Sequence, residues 1–470
     1  MTSYLHRRFA LGAQSLALLF IITLALPMLL SAPARAADTF NWDTNRNRVT
    51  ADIKSGSLLP LLKQIGSATG WQIFLEPDTT CTVSAKFDRL PPGEALRLLL
   101  RDLNFALVPQ TNSASRLFVF RTTMQNATQS IRAGGPELSA HGGKIIPNEL
   151  IVRLKPGANI DEIARLLGAK VIGRIDSLNA YRLQFEDAAA AEAALAQLTA
   201  NPDVTSVESN FSLDRPAAPR SAGPLGSPPL NLQLKPPPAD GRIIVGVVDT
   251  AMQPLCGDLN QFLLKPISVA GAAQPAPSAP THGTAMAETV LRSVQAMTKG
   301  KTAVQILPVD VYGPNPTTSS FDVANGIVQA VNGGARIINL SLGSQGDSPI
   351  LRSVVQDVRK QNIPVFAAAG NEPVTTPFYP AAYPEVTAVT AIDQGRVASY
   401  ANRGSFVSLG TPGTSIVCHE GANYFVVGTS AASAFASGIA AGYLDATQNS
   451  VAQMQSFMQG SFGVQMGPGQ

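Results

Sequence analysis

Residues 243–250 read Ile-Ile-Val-Gly-Val-Val-Asp-Thr, six strand-forming positions that end abruptly in an acid and a hydroxyl. A continuous apolar run of this length, with no polar alternation, is what a strand buried on both faces requires. Four more runs of the same kind follow downstream, at Val304–Val311, Arg336–Leu342, Ile363–Ala368 and Val386–Ile392. Helical patterns at Gly283–Met297, Phe321–Val331 and Ser348–Lys360 separate them, so the spacing predicts an α/β unit with a parallel sheet covered by helices on both faces. In such sheets chemistry gathers at the carboxyl ends of the strands, where Asp249 and Thr250 stand.

The rest of the 470 residues bounds the possibilities. At about 150 residues per domain the length predicts roughly three domains. Charge is sparse at 14%, and 35 basic residues against 32 acidic ones give a net of +3, which offers no electrostatic footprint for nucleic acid. Hydrophobic residues make up 45%, enough for substantial cores, and three cysteines exclude a disulfide-dense miniature scaffold.

Upstream of the α/β unit the pattern changes four times. Arg7 and Arg8, an apolar run from about Leu16 to Leu30 broken by Pro27, and Ala34-Arg35-Ala36 predict a cleaved secretory signal over residues 1–36. Export to a periplasmic or secreted location follows, with no membrane span after signal cleavage. Residues 38–124 read as a small α+β domain with helices at Ser57–Ala68 and Pro92–Leu103, and 125–144 as a polar linker. Residues 145–213 give the order βαββαβ of a ferredoxin-like unit, and 214–240, with Pro236-Pro237-Pro238, read as an extended, accessible linker. The α/β unit is expected over 241–446, followed by a tail at 447–470.

Short motifs stand at the predicted strand ends and helix starts: Asp249-Thr250, His282-Gly283-Thr284, Ala368-Ala369-Gly370-Asn371 and Gly428-Thr429-Ser430. Singly each has a plain structural explanation, since an Asp after a strand caps a turn and a Ser at a helix start is an ordinary N-cap. In this order, with separations of 282−249=33, 371−282=89 and 430−371=59 residues, they resemble the subtilisin-like serine protease family. Ile306-Leu307-Pro308-Val309, Asn339-Leu340-Ser341-Leu342-Gly343, Tyr379-Pro380-Ala381 and Thr411-Pro412-Gly413 extend the resemblance over roughly 242–445. It implies a subtilisin-like parallel sheet preceded by two small α+β domains, and a serine endopeptidase acting on polypeptide.

The residue types suit that chemistry. A neutral serine hydroxyl is a poor nucleophile, so a base must take its proton as it attacks. The resemblance assigns Ser430 as nucleophile, His282 as base and Asp249 as the group that orients it, with Asn371 in the oxyanion hole. It implies substrate binding by Ser341, Leu342, Gly343, Ala369 and Gly370, with the small residues leaving room for a sizeable apolar side chain. Residues 148–157 and 207–210 resemble the propeptides of these enzymes, which implies self-cleavage between Phe211 and Gly241. Residues 38–124 resemble the short N-terminal domain of secretins and TonB-dependent receptors, implying an envelope protein partner. No cofactor is implied. His419 beside Cys418 lacks a spaced ligand set, so no metal site is expected, and structural calcium is left undecided. Export permits a Cys256–Cys418 disulfide without establishing it.

Three departures bear on geometry: Ala251 where the family usually has Gly, Ala285-Met286 after the histidine motif, and Ala434 where Pro is usual. The alternative that stays open is a catalytically inactive subtilase-fold envelope binding protein.

Overall fold

The computed structural model describes residues 38–466, except 45, 77–78, 80, 110–114, 125–126, 128, 132–142, 224–225, 227–228, 239–240 and 274–277. The signal expected at 1–36 lies outside the described residues. Among them no helix is long and apolar enough to cross a membrane.

Strand Ile244–Asp249 pairs in parallel with Gln305–Asp310 on one side and Ile337–Leu340 on the other. The sheet continues through Val365–Ala368 to Thr387–Asp393, again in parallel, and Ile267–Ser268 lies beyond Gln305–Asp310. The chain therefore leaves the first strand to one side and then crosses to the other. The resulting switch point falls between the carboxyl ends of Ile244–Asp249 and Ile337–Leu340, where a crevice opens by construction. Asp249 ends the first of these strands and Ser341 follows the second.

Both faces are covered because both are apolar. Helices His282–Thr298 and Thr429–Thr447 share one core with Val245, Val247 and Phe366, while Ser320–Asn332 and Pro349–Lys360 share the other with Val248, Ile338 and Val365. Each fully buried Val or Ile contributes about 1.5–3 kcal/mol. The first two helices approach closely: a Cβ on Gly438 would stand 2.3 Å from the Val290 carbonyl oxygen. That approach lines up their N-termini, which carry His282 and Ser430, at one end of the sheet.

The ferredoxin-like order is realised as strands Ile145–Leu154, Lys170–Ile175, Ala180–Gln184 and Val204–Asp214 with helices Ile160–Leu166 and Ala188–Ala200. One edge of this sheet continues into the α/β unit: Ser212, Leu213 and Asp214 pair antiparallel with Ser319, Thr318 and Thr317. Polar contacts reinforce the junction at two helix N-termini. Asn210 Oδ1 accepts from the Ser320 hydroxyl and the Phe321 N–H, and Glu208 Oε1 accepts from the Ser348 hydroxyl at 3.0 Å and the Ile350 N–H at 3.1 Å. Orphan N–H groups in a first helical turn are natural partners for such acceptors. Arg182 bridges Glu149 and Asp322 across the same junction.

The N-terminal unit builds a three-stranded and a four-stranded sheet around helices Leu58–Thr69 and Pro92–Leu99. Its boundary differs from the expected 124. Strand Gln129–Ile131, inside the expected linker, pairs with Gln72–Leu75 and buries Ile131. The unit also touches the α/β unit, because Phe74 and Ala127 pack against Val374.

Two further expectations are corrected. The Pro-rich stretch 214–240 is extended but not free: Arg220–Ser221 pairs with Tyr424–Phe425, Gln233–Leu234 pairs with Lys301–Thr302, and Ala222 and Leu232 are buried. Pro fixes extended backbone, and here the edge strands it meets supply hydrogen bonds. The expected tail at 447–470 contains helix Val451–Phe462, capped by Ser450 and Gln453, whose Met454 and Met458 enter the main core.

Candidate active site

Asp249 is completely buried, and its two carboxylate oxygens lie 2.8 and 2.9 Å from His282 Nδ1. An ionised carboxylate only accepts, so Nδ1 carries the hydrogen and a neutral ring presents its lone pair at Nε2. Asp249 Oδ1 also accepts from the Thr250 N–H at 2.7 Å, fixing the carboxylate. His282 opens its helix behind Thr281, whose hydroxyl oxygen accepts from the Thr284 N–H. Gly283 follows because a Cβ there would stand 2.2 Å from the Thr250 carbonyl oxygen, while its N–H donates to Thr250 Oγ1 at 2.8 Å. Strand end and helix start are thereby locked together.

Ser430 is the second residue of helix Thr429–Thr447 and 8% exposed. Its hydroxyl donates to the Ser341 carbonyl oxygen at 3.0 Å, not to His282, while the Ser341 hydroxyl donates to the Ser430 carbonyl oxygen at 2.9 Å. A buried network stands behind the pair: Asn339 Nδ2 donates to Ser341 Oγ, and Asn339 Oδ1 accepts from Ser433 and Ser437. Asn371 Oδ1 accepts from the Thr429 N–H at 2.8 Å and the Thr429 hydroxyl at 2.9 Å. These donors settle the amide orientation and leave Nδ2 as the group with hydrogens to give. The Ser430 N–H lies in a first helical turn, which has no intrahelical acceptor for it.

Ser341, Leu342, Gly343, Gly370, Asn371, Thr429 and Ser430 line one cavity of about 470 Å³. Ala369, expected with them, does not: it is fully buried and its N–H donates to the Val389 carbonyl oxygen, extending the sheet instead of the cleft. The cavity is also narrower than the small residues suggest. The ring of Phe378 lies 2.5 Å from where a Cβ on Gly343 would stand and 3.2 Å from one on Gly370, so it fills the slot between those two segments. Residues Asp214, Arg215 and Pro216 of the ferredoxin-like unit's tail line the cavity as well.

Burial shapes two titrations, one beside Asp249 and one at the junction with the ferredoxin-like unit. Tyr312, buried and close to the Asp249 charge, is held well above the ordinary phenol range, and so stays a neutral hydrogen-bond donor. Burial pushes Glu208 up to about 7 despite the hydrogen bonds that oppose it.

The subtilase family model matches residues 240–461, and the model of the fervidolysin N-terminal prodomain matches residues 133–210. Subtilisin Savinase from Lederbergia lenta is 30% identical over 37% of this chain and 69% of its own length. The chain belongs to the subtilase family. Thermophilic serine proteinase from Bacillus sp. strain AK1 is 28% identical over 68% of this chain and 84% of its own length. Two further curated relatives are matched over only 46% and 49% of theirs. Among solved structures, fervidolysin from Fervidobacterium pennivorans, described as a keratinolytic enzyme related to subtilisin, aligns with a TM-score of 0.50 at 21% identity. That alignment covers 67% of this chain and 56% of fervidolysin, and it shows the fold alone.

As a subtilase with a prodomain the chain is a serine-type endopeptidase made as a precursor. The family's usual Gly after Asp-Thr is dispensable here, since Ala251 is not among the positive-φ residues of the described chain. Cys256 and Cys418 are joined, tying the loop after the Asp249 strand to the hairpin before Ser430, and Glu288 of the histidine helix accepts the Cys418 N–H. Cys81 is free. Sequence reading missed Thr429, Phe378 and the Asn339 network in this subtilase. The adjacency of Thr429 to Ser430 was a signal for the first, whereas nothing local marks the other two.

Proposed function

We propose that this chain is an exported serine endopeptidase that matures by cutting itself within 211–241 and hydrolyses peptide bonds through Asp249, His282 and Ser430. The observation that carries the reading is the buried carboxylate gripping His282 Nδ1 at the same sheet end where Ser430 and Asn371 line one cavity.

A rotation of the Ser430 side chain releases Ser341 and turns Oγ toward His282 Nε2. Nε2 takes the hydroxyl proton as Oγ bonds to the peptide carbonyl carbon, and the carbonyl π electrons move onto oxygen. Asn371 Nδ2 and the Ser430 N–H meet that negative oxygen, while Asp249 stabilises the imidazolium. The C–N bond then breaks, His282 returns its proton to the leaving amine, and an ester on Ser430 remains. Water repeats the sequence, His282 accepting its proton, and frees the acid and Ser430. Every step uses side chains or backbone of this chain and calls for no cofactor.

The expected signal over 1–36 supports export, and residues 38–131 are read as the module that docks an envelope protein. The test compares purified wild-type precursor with Ser430→Ala. Wild type is expected to give two fragments and the variant one intact chain; identical banding contradicts the reading.

A further inference from the structure

The tail of the prodomain crosses the cleft as an added strand, and its side chains alternate as strand geometry demands. Leu213 and Asp214 pair with Thr318 and Thr317, and the ladder runs one step further through the Arg215 N–H, which donates to the Pro316 carbonyl oxygen at 2.9 Å. Leu213 points inward and is 1% exposed, in an apolar cluster with Tyr312, Phe321 and Leu342. Asp214 points outward and is exposed. Arg215 points inward again.

Among the described residues, the hydrogen bonds of its guanidinium all go to main chain. Nε donates to the Asn315 carbonyl oxygen at 2.9 Å, and one terminal nitrogen donates to the carbonyl oxygens of Gly313 and Asn315 at 2.7 Å each. The guanidinium carbon lies 5.1 Å from the centre of the Tyr312 ring. Two converging carbonyls and an aromatic face form a notch for a cation, and the fork geometry matches a guanidinium better than an ammonium. The next residue, Pro216, lines the cavity that contains Ser430 and Asn371.

We infer that this notch is a substrate subsite for arginine, so the protease favours peptides with arginine immediately ahead of the residue whose carbonyl Ser430 attacks. This rests on the protease reading above. Once the tail leaves, the Gly313 and Asn315 carbonyls still face the notch, and an incoming peptide that pairs with Thr317–Thr318 places its own side chains in the same two positions. Such edge pairing gives affinity through main chain and selectivity through alternate side chains. Pro216 itself has no N–H to offer the Ser341 carbonyl, which accepts the Ser430 hydroxyl instead.

The test uses matured full-length protein, first titrated with a fluorophosphonate, and fluorogenic peptides of the form Leu-Asp-Arg-Ala-reporter. Replacing Arg by norleucine, which keeps the length and removes the charge and donors, is expected to lower kcat/KM about 10-fold or more, with Lys between. Tyr312→Leu should shrink the Arg-to-norleucine ratio; should that variant misfold, the peptide series alone decides. Enzyme that labels on Ser430 but cleaves the Arg and norleucine peptides equally overturns this inference and leaves the protease reading standing. Enzyme that does not label overturns both.

Discussion

Asn371 offers the sharpest test of how the site handles charge. Its Oδ1 is pinned by two donors on Thr429, which leaves Nδ2 as the donor the amide has to offer. An N–H donor that meets charge only in the transition state contributes about 2.7–4 kcal/mol, a magnitude measured on another subtilase. At 1.36 kcal/mol per decade, Asn371→Ala should therefore lower kcat about 100- to 1000-fold. KM should stay within about twofold, because the interaction is absent in the ground state. Asn371→Asp keeps an acceptor for Thr429 but sets a negative oxygen beside the developing oxyanion, so it should lose more than Asn371→Ala does. Thr429→Val removes one pin and leaves the backbone one, and should cost less than about 10-fold in kcat by the same logic. The assay is steady-state kinetics on a chromogenic peptide, with melting temperatures confirming that each variant is folded. A loss under about fivefold in kcat for Asn371→Ala, or one confined to KM, would refute the assigned role.

Other outcomes follow from the same geometry. Phe378→Ala empties the slot between Gly343 and Gly370, so cleavage after phenylalanine should rise relative to cleavage after alanine by about 10-fold or more, the scale of burying one aromatic side chain; an unchanged ratio in a peptide-library digest would show that the ring does not restrict the pocket. Glu208 carries a docked value of about 7 against an ordinary 4.5, so its contribution to prodomain docking is complete below 4.5 and fades as pH rises through 7. That shift corresponds to about 3 kcal/mol at most. In a Ser430→Ala background, which keeps the chain intact, melting temperature should fall between pH 5 and 8, and Glu208→Gln should flatten that fall; parallel curves would remove Glu208 as the cause.

The sheet was legible because strands buried on both faces, such as Ile244–Asp249, run without polar residues until their last position. Asp249, His282, Asn371 and Ser430 were legible only together, because their chain order and separations carry the resemblance to subtilisin-like proteases, whereas each alone reads as a turn or cap. The prodomain's six elements were legible from periodicity, yet its continuation onto Thr317–Ser319 was not: three residues carry no measurable alternation, and edge pairing needs no particular side chain. Gln129–Ile131 escaped on the same ground. The helix Val451–Phe462 was hidden because its buried face rests on two methionines in otherwise polar sequence. Ala369 was misplaced since its neighbours on either side, Ala368 and Gly370, do line the cleft, and strand geometry sends alternate residues elsewhere. The notch around Arg215 is invisible to sequence, being built from carbonyl groups that every residue has.

Fluorophosphonate labelling of the matured chain, read by peptide mass spectrometry, tests the relay of Asp249, His282 and Ser430 most directly. A single adduct on Ser430, slowed by at least about 1000-fold in His282→Ala and strongly in Asp249→Asn, is the predicted result. Labelling of Ser430 at an unchanged rate without His282, or an adduct on a different serine, would contradict it.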